Sequence, residues 1–361
     1  MKDRYGREID YMRISITERC NLRCRYCMPK GITLVPMKDI LTYEEILEIV
    51  RAAVFCGITK FKVTGGEPLV RKDCVFLVRN LKAVPGVEQV TLTTNGILLA
   101  EYAEPLAEAG IDGVNISLDT LSPEMFREIS GFDELPRVLE GIDAALKAGL
   151  RVKINTVLQK GMNDTGWTDI LLLAQDKPID VRFIEMMPIG FGRMMEGYNN
   201  DRLIREIKMK YPGTKRDLAV HGNGPAVYYS IPGFKGSVGF ISAIHEKFCD
   251  SCSRLRLTCQ GKLKLCLCYE DAVDLMCILR QDKNEWQETP FQRPPQEQHE
   301  AQHQEQIQAP PREQFQRPPQ PQLQTQLRNA IREAILRKPK AHRFSEADGV
   351  TEQKIMTQIG G

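Results

Sequence analysis

The chain has 361 residues, of which 42% are hydrophobic, and its formal net charge is +2, from 49 basic and 47 acidic residues. This size and hydrophobic content predict one large α/β domain with appendages. The balanced charge argues against a protein that coats nucleic acid or binds membranes through a polybasic surface, and we expect neither partner. No long apolar run and no signal peptide are found, so we expect a cytoplasmic protein whose eleven cysteines are thiols and metal ligands.

Six predicted strands alternate with helices in the first half of the chain. The strands are predicted at 11–17, 60–64, 89–94, 113–118, 151–157 and 180–185, and the first helix at 42–56 begins with a capping box. This alternation favours parallel strands joined by right-handed crossovers. Six units are fewer than the eight of a closed TIM barrel. We therefore predict an α/β fold with a partial, open six-stranded TIM-type (β/α)6 barrel over residues 1–190.

The predicted strands have one apolar and one polar face. The apolar residues should pack against the helices, and the other face should line a polar lumen. Five of the lumen positions are cationic, namely Arg13, Lys60, Lys62, Lys153 and Arg182. Five converging positive charges require an anion, and a triphosphate is a suitable one. The alternative is that some strands have the opposite register, so that individual lysines extend to solvent.

Three cysteines follow the first strand with the spacing C-x3-C-x2-C, at Cys20, Cys24 and Cys27. Three thiolates on one loop are suited to three irons of a 4Fe–4S cluster, which leaves the fourth iron open to a ligand. Structural zinc is the alternative, although such sites close all four positions. The spacing therefore favours a catalytic iron–sulfur cluster.

With an aromatic residue before its third cysteine, this run resembles the signature of the radical S-adenosylmethionine enzymes. The resemblance implies that S-adenosylmethionine chelates the open iron and yields a 5′-deoxyadenosyl radical on reduction. It also implies that a Gly-Gly-Glu element after the second strand holds the amino group of this cofactor. The implied cofactor contacts are Tyr26, Gly65, Gly66, Glu67, Thr94, Ser117 and Met187.

A second set of three cysteines has the spacing C-x2-C-x13-C, at Cys249, Cys252 and Cys266. Two arginines, Arg254 and Arg256, alternate on a predicted strand beside Cys252. Further cysteines at Cys259, Cys268 and Cys277 keep a four-cysteine zinc ribbon open as an alternative. The arginine pair would be an unusual addition to a purely structural zinc site.

The two cysteine sets and the arginine pair together resemble the GTP 3′,8-cyclase family of molybdenum cofactor biosynthesis, over residues 11–280 and 327–361. The resemblance implies a second 4Fe–4S cluster on Cys249, Cys252 and Cys266, whose open iron binds the purine of GTP. Residues 191–280 and 327–361 would form the second-cluster and GTP-binding region. The implied GTP ligands are Arg13, Lys60, Lys62, Lys153, Arg182, Arg254 and Arg256. The implied catalytic residues are Arg13, Arg254, Arg256, Gly360 and Gly361. The chain departs from the family at Lys62 and Ser253, where Arg and Asn are usual.

The implied reaction converts GTP to (8S)-3′,8-cyclo-7,8-dihydroguanosine 5′-triphosphate. The implied partners are a flavodoxin- or ferredoxin-like electron donor, a downstream cyclic pyranopterin monophosphate synthase and a second copy of the chain in a homodimer. Two alternatives are a radical enzyme that modifies a peptide with the help of an auxiliary cluster, and a zinc-stabilised scaffold without enzymatic activity. The peptide-modifying enzyme would need neither the arginine pair nor the cationic lumen, and the scaffold would bind no S-adenosylmethionine.

Residues 286–326 are dominated by Gln and Pro, with almost no apolar periodicity. Such a composition cannot offset its ordering entropy, so we predict a disordered insertion with polyproline II character. Recruitment of a proline-binding partner is the alternative function for this segment. An amphipathic helix should resume at 327–336. The chain ends with Gly360 and Gly361, which in the cyclase family are thought to reach into the active site.

Overall fold

The computed structural model of the protein describes residues 1–29, 31–281, 320–346 and 349–359. Its first half alternates strands and helices, as the sequence predicts. The strands are β1 Tyr11–Ser15, β2 Lys60–Thr64, β3 Gln89–Thr94, β4 Gly113–Ser117, β5 Val152–Val157 and β6 Asp180–Ile184. The helices between them are α1 Tyr43–Phe55, α2 Cys74–Ala83, α3 Leu99–Glu108, α4 Pro123–Ser130, α5 Leu135–Lys147 and α6 Trp167–Asp176. The α/β fold class is confirmed.

The second half contributes shorter elements. They are α7 Asn200–Lys210, β7 Lys215–Asp217, β8 Val227–Ser230, β9 Val238–Ile241, β10 Arg254–Leu257, β11 Lys262–Lys264, β12 Ala272–Asp274, α8 Leu275–Gln281 and α9 Pro321–Arg337. Among the described residues, no helix is both long enough and apolar enough to cross a membrane.

The start of α1 shows how local sequence determines an element. The Thr42 hydroxyl accepts a hydrogen bond from the Glu45 amide at 3.2 Å, and the Glu45 carboxylate accepts one from the Thr42 amide at 2.9 Å. This reciprocal capping box satisfies two amide groups that would otherwise lack partners at the helix terminus. The predicted capping box is therefore confirmed.

The predicted apolar strand faces form the core. Ile14, Val63, Val90, Ile116 and Ile154 are fully buried in one hydrophobic cluster with residues of the helices. Because successive side chains of a strand point to opposite faces, the residues between them project to the other side of the sheet. This arrangement places the polar strand residues on the face that lines the cavity described below.

The sheet extends further than the six predicted strands. Its order is β12-β11-β10-β1-β2-β3-β4-β5-β6-β9-β8-β7, with β10 parallel to β1 and β9 parallel to β6. Eight consecutive strands are therefore parallel, and antiparallel strands continue the sheet on both sides. The open edges of β1 and β6 expose unpaired backbone groups, which β10 and β9 satisfy. The predicted domain boundary at residue 190 consequently does not coincide with a break in the sheet.

Helix α9 begins earlier than the sequence predicts, at Pro321 rather than Leu327. Leu323 is buried one turn before Leu327, and the buried Gln324 amide donates to the Glu48 carboxylate of α1 at 2.6 Å. The predicted disordered range 286–326 is therefore wrong at its C-terminal end, where the Gln324 side chain contributes to helix packing. Residues 286–319 of that range lie outside the described residues.

Candidate active site

The first cysteine set lies on a tight loop beyond the carboxyl end of β1. The Cys24 carbonyl accepts hydrogen bonds from the amides of Cys27 at 3.1 Å and Met28 at 2.8 Å, which turn the loop back on itself. Burial raises the pKa of Cys20 to about 11 and that of Cys27 to about 12. The Glu67 carboxylate adds to the shift in the pKa of Cys20, and the Cys20 sulfur and Asp119 add to that of Cys27. Three mutually close thiols with raised pKa values fit a centre whose irons supply positive charge and stabilise the thiolates.

Gly65 and Gly66 support this loop from the carboxyl end of β2. The Gly66 amide donates to the Thr17 carbonyl at 2.7 Å, and the Glu67 amide donates to the Arg19 carbonyl at 2.8 Å. A Cβ atom on Gly66 would lie 2.3 Å from the Arg19 carbonyl oxygen, which is closer than real Cβ contacts. The sequence predicts that the glycines allow a ligand to approach. The structure shows that they also allow the cysteine loop to approach.

Glu67 and Thr94 lie beneath the loop and are 1% and 2% exposed. The Glu67 carboxylate accepts hydrogen bonds from the Thr94 hydroxyl at 2.7 Å and from the Asn95 amide at 2.6 Å. Burial raises the pKa of Glu67 to about 7, against the effect of these hydrogen bonds. The Asn95 side chain in turn donates to Asn21 at 2.7 Å. These contacts attach the end of β3 to the cysteine loop.

Asp119 is a residue that the sequence does not identify as part of the site. Its carboxylate accepts the Tyr26 hydroxyl at 2.8 Å and the Val157 amide at 2.9 Å. Burial raises the pKa of Asp119 to about 6. The available sequence indication is its position after Ser117, at the same end of the sheet as the other motifs. Asp119 links Tyr26 on the cysteine loop to β5.

The second cysteine set lies at the opposite ends of the parallel strands. Cys249 and Cys252 precede β10, which is parallel to β1, and Cys266 follows β11, which is antiparallel to β10. Burial raises the pKa of Cys249, and the neighbouring Cys266 and Cys252 sulfurs raise it further. The sequence motifs that follow β1 to β6 predict a site at the carboxyl ends of the strands. They do not predict a second site at the amino ends.

Cys268 lies close to this second set, whereas the other two cysteines of the zinc-ribbon alternative do not. The buried Cys268 interacts electrostatically with Cys266 and Cys249. Cys259 instead lies near Glu18, and the exposed Cys277 donates to Asp274 at 3.0 Å. Within the described parts of the chain, no three His, Cys, Asp or Glu side chains are grouped so that they could hold a metal ion. A 4Fe–4S cluster has a different requirement, because each cysteine binds a separate iron.

A cavity lined by cations lies between the two cysteine sets. Six of the seven predicted GTP ligands line it, namely Arg13, Lys62, Lys153, Arg182, Arg254 and Arg256. Lys60 is not among the residues that line the cavity, and its ammonium pairs with Asp10 at 2.7 Å. Met187 lines the cavity as well, whereas Ser117 is exposed at the end of β4.

Strand register explains why the cations converge. Arg13 on β1 lies opposite Lys62 on β2 and opposite Arg256 on β10, and Tyr11 lies opposite Arg254. Burial lowers the pKa of Lys62 well below its ordinary value, and the nearby arginines lower it further. Burial and the neighbouring Arg13 likewise lower the pKa of Arg256 to about 9.

Some polar atoms in the cavity have no partner. The Nε atoms of Arg13 and Arg182 and the Oδ1 atom of Asn155 are buried without a hydrogen bond. Buried polar groups are usually paired, so such atoms are expected where a ligand binds. The remaining nitrogens of Arg182 do have partners: its NH2 group donates to the Asn115 carbonyl oxygen at 2.8 Å, and its side chain also hydrogen-bonds Tyr228. Cationic surroundings and unpaired donors together fit a polyanionic ligand.

A loop that the sequence does not identify also lines the cavity. The loop runs from His221 to Pro225, and the His221 carbonyl accepts a hydrogen bond from the Lys153 ammonium. The His221 ring stacks on Tyr228 at 4.0 Å between centroids and contacts carboxylates from both of its nitrogens, Asp180 at 3.2 Å and Asp217 at 3.0 Å. Asp180 also pairs with Lys153 at 2.9 Å. The loop thus restrains one of the predicted GTP ligands.

Comparison with known proteins assigns the family. A model of the radical SAM superfamily matches residues 14–174, and a model described as Molybdenum Cofactor Synthesis C matches residues 179–305. The GTP 3′,8-cyclase of Clostridium perfringens strain 13 is 38% identical over 362 residues, which cover 100% of both chains. That of Peptoclostridium acidaminophilum is 48% identical over 284 residues, 78% of this chain and 87% of that protein.

The chain belongs to the GTP 3′,8-cyclase family. The resemblance inferred from the two cysteine sets is confirmed, as is the prediction of a radical S-adenosylmethionine enzyme. Family membership implies S-adenosylmethionine and two 4Fe–4S clusters as cofactors. The three-thiol loops at opposite ends of the parallel strands fit one cluster each.

Solved structures support the fold. Streptococcus suis SuiB bound to S-adenosylmethionine superimposes with a TM-score of 0.53 at 16% identity, covering 73% of this chain and 61% of that one. This chain therefore matches about three fifths of the length of SuiB. The predicted catalytic residues Gly360 and Gly361 lie outside the residues that the structure describes.

Proposed function

We propose that this family member converts GTP to (8S)-3′,8-cyclo-7,8-dihydroguanosine 5′-triphosphate in the first step of molybdenum cofactor biosynthesis. The observation that carries the proposal is the cationic cavity between two cysteine sets at opposite ends of the same parallel strands. A nucleoside triphosphate has a polyanionic end and a base, and the cavity offers cations along its wall and a cysteine set beside Arg254. When bound, the cofactors supply a 5′-deoxyadenosyl radical that abstracts the ribose 3′ hydrogen of GTP.

The side chains would have different binding roles according to their position in the fold. Cys20, Cys24 and Cys27 hold the cluster that binds S-adenosylmethionine. The Gly65-Gly66-Glu67 element supports their loop, and Tyr26, Thr94, Ser117 and Met187 complete the cofactor site.

Arg13, Lys62 and Arg182 would neutralise the triphosphate from β1, β2 and β6. Arg254 and Arg256 would hold the guanosine beside the second cluster on Cys249, Cys252 and Cys266. Buried cations bind phosphate oxygens through short charge-assisted hydrogen bonds, which fix the ribose in a reactive position. Lys153 would also bind the triphosphate, once its ammonium has exchanged part of its contact with Asp180 for phosphate oxygens.

The proposed reaction requires a one-electron donor, so we include a flavodoxin- or ferredoxin-like protein as a partner. A downstream enzyme, cyclic pyranopterin monophosphate synthase, would then rearrange the cyclised product. Cytoplasmic location is consistent with eleven unpaired cysteines, because oxidising compartments favour disulfides. The homodimer stays a prediction.

The test is anaerobic reconstitution followed by a single-turnover assay. We expect about eight irons per chain, as two four-iron clusters require. GTP deuterated at the 3′ carbon should transfer its label to 5′-deoxyadenosine, and mass spectrometry should detect the cyclised triphosphate. Four irons per chain, or deoxyadenosine without label from GTP, would contradict the proposal.

Cysteine variants separate the two sites. Cys24→Ala should abolish S-adenosylmethionine cleavage, whereas Cys252→Ala should retain some cleavage and lose cyclisation. The exposed Cys277 offers a matched control, because Cys277→Ala should change neither. Equal loss of cleavage in Cys24→Ala and Cys252→Ala would refute the assignment of roles.

A further inference from the structure

A buried lysine lies beside the second cysteine set. Lys338 directly follows α9 and is 4% exposed. Its ammonium donates to the Arg254 carbonyl at 2.7 Å and to the Leu265 carbonyl at 2.6 Å. Arg254 is two residues after Cys252, and Leu265 immediately precedes Cys266. Lys338, from the C-terminal part of the chain, thus hydrogen-bonds to both segments that carry the cysteines of the second set.

The hydrogen-bond partners of Lys338 are neutral carbonyls, whereas two other buried cations of the protein have carboxylate partners. Arg7 pairs with Asp3 at 2.6 Å, and Lys264 pairs with Glu352. Lys338 forms no ion pair with a carboxylate of any described residue. A buried charge without a counter-charge is costly, and carbonyl dipoles offset only part of that cost.

The nearest negative charges available to Lys338 are those of the second cysteine set. Burial lowers the pKa of Lys338, and the Cys252 and Cys266 sulfurs oppose that change. Lys338 in turn favours a negative charge on the Cys252 sulfur, as do Arg254 and Arg7. No lysine among the described residues acts in this way on Cys20 or Cys27 of the first set. The two cysteine sets therefore differ in their electrostatic surroundings.

We propose that the ammonium of Lys338 is the counter-charge of the second iron–sulfur cluster and raises the reduction potential of that cluster relative to a site without it. The proposal rests on the proposed function, in that the second cysteine set holds a cluster. Three thiolates on a 4Fe–4S core give a net charge of about −1 when oxidised and about −2 when reduced, and cluster potentials depend on nearby charge. A fixed positive charge in a buried site stabilises the more negative state further.

Three variants of the full-length reconstituted protein test this role. Lys338→Met removes the charge and keeps an unbranched side chain, whereas Lys338→Arg keeps the charge. Lys340→Met is the matched control, because Lys340 lies two residues further on with an exposed side chain. The readouts are iron content and the midpoint potential of each cluster, measured by redox titration monitored with electron paramagnetic resonance. Addition of S-adenosylmethionine identifies the signal of the first cluster, and addition of GTP that of the second.

We expect Lys338→Met to shift the midpoint potential of the second cluster to more negative values and to leave the first unchanged. Lys338→Arg and Lys340→Met should match the unaltered protein. If Lys338→Met assembles only the first cluster, iron content should fall from about eight to about four, and Lys338→Arg should restore it. An unchanged midpoint in Lys338→Met, or loss of the second cluster in Lys338→Arg as well, would overturn the proposal. None of these readouts requires GTP turnover, so absence of cyclisation in the unaltered protein would contradict the proposed function separately.

Discussion

Arg13 on β1 and Arg256 on β10 are direct partners across two parallel strands. Like charges in such positions repel each other, and burial lowers the pKa of both guanidinium groups. The folded protein therefore contains an unfavourable charge repulsion inside the cavity. Both guanidinium groups would attract a bound polyanion, and this attraction would offset their mutual repulsion. The cavity is therefore preorganised to bind a polyanion.

Loss of a cavity cation should weaken GTP binding. Arg182→Met should reduce the binding free energy by roughly 1.5–3 kcal/mol, the range for hydrogen bonds to charged groups. Lys60→Met is a suitable control, because Lys60 pairs with Asp10 and does not line the cavity. Anaerobic calorimetry with GTP measures both. Equal affinities for Arg182→Met and the unaltered protein would contradict a triphosphate site at this wall.

Lys62 should make GTP binding depend on pH. Its pKa in the empty cavity is well below the unfolded value, since burial and nearby arginines disfavour its charge. Between those two pKa values the unfolded chain binds more protons, so the stability of the GTP-free protein rises with pH there. GTP phosphates favour the charged lysine, so binding at a pH above the lowered pKa should take up a proton and weaken as the pH rises.

The Lys62→Met variant separates the two effects. It should lose proton uptake, measured by calorimetry in buffers of different ionisation enthalpy. Without GTP it should be more stable, and a gain of about 1 kcal/mol corresponds to roughly 2–4 °C in melting temperature. A less stable GTP-free variant would show that Lys62 contributes favourably to the empty cavity.

The elements that the sequence predicts correctly are those with local causes. The strands β1 to β6 follow from period-two alternation, and the start of α1 follows from Thr42 and Glu45. The convergence of Arg13 and Lys62 follows from strand faces and parallel pairing. The position of Arg254 and Arg256 beside them required the family resemblance, because β10 lies more than 200 residues from β1 in the sequence.

The parts that the sequence does not predict depend on distant partners. Period-two alternation predicts that Lys60 faces the lumen, but its ammonium instead pairs with Asp10 at the start of β2. The His221 loop contains no recognisable motif and is held by Lys153 and Asp180 from two different strands. The first turns of α9 have a Gln-rich composition that does not predict a helix. The burial of Leu323 and the contact of Gln324 with Glu48 explain why they are ordered.

Gly66→Ala should damage the first cluster site selectively. The added Cβ would meet the Arg19 and Glu18 carbonyl oxygens at 2.3 and 2.6 Å, so the cysteine loop must move. Gly166→Ala is the matched control, since its Cβ would meet only the Asn163 carbonyl at 3.6 Å. We expect Gly66→Ala to lose S-adenosylmethionine binding and to keep the second cluster. Unchanged S-adenosylmethionine affinity would show that the loop adapts.

The last prediction concerns Gly360 and Gly361. The preceding Ile359 is fully buried in a cluster with Ile189 and Phe344, so the chain is anchored immediately before the glycines. Two residues span about 7 Å when extended. Met187, which lines the cavity, is two residues before Ile189, so the cavity is near this anchor. Glycines can enter a narrow channel that a Cβ would block.

We therefore expect Gly360→Ala and Gly361→Ala to keep their iron content and S-adenosylmethionine cleavage but to lose most cyclised product, because a double-glycine tail that enters the cavity would order groups around GTP. Gln353→Ala is the control, since Gln353 lies in the same segment with an exposed side chain. The ratio of cyclised triphosphate to 5′-deoxyadenosine, measured in a single turnover, separates coupling from cleavage. A ratio in the glycine variants equal to that of Gln353→Ala would show that these residues take no part in the reaction.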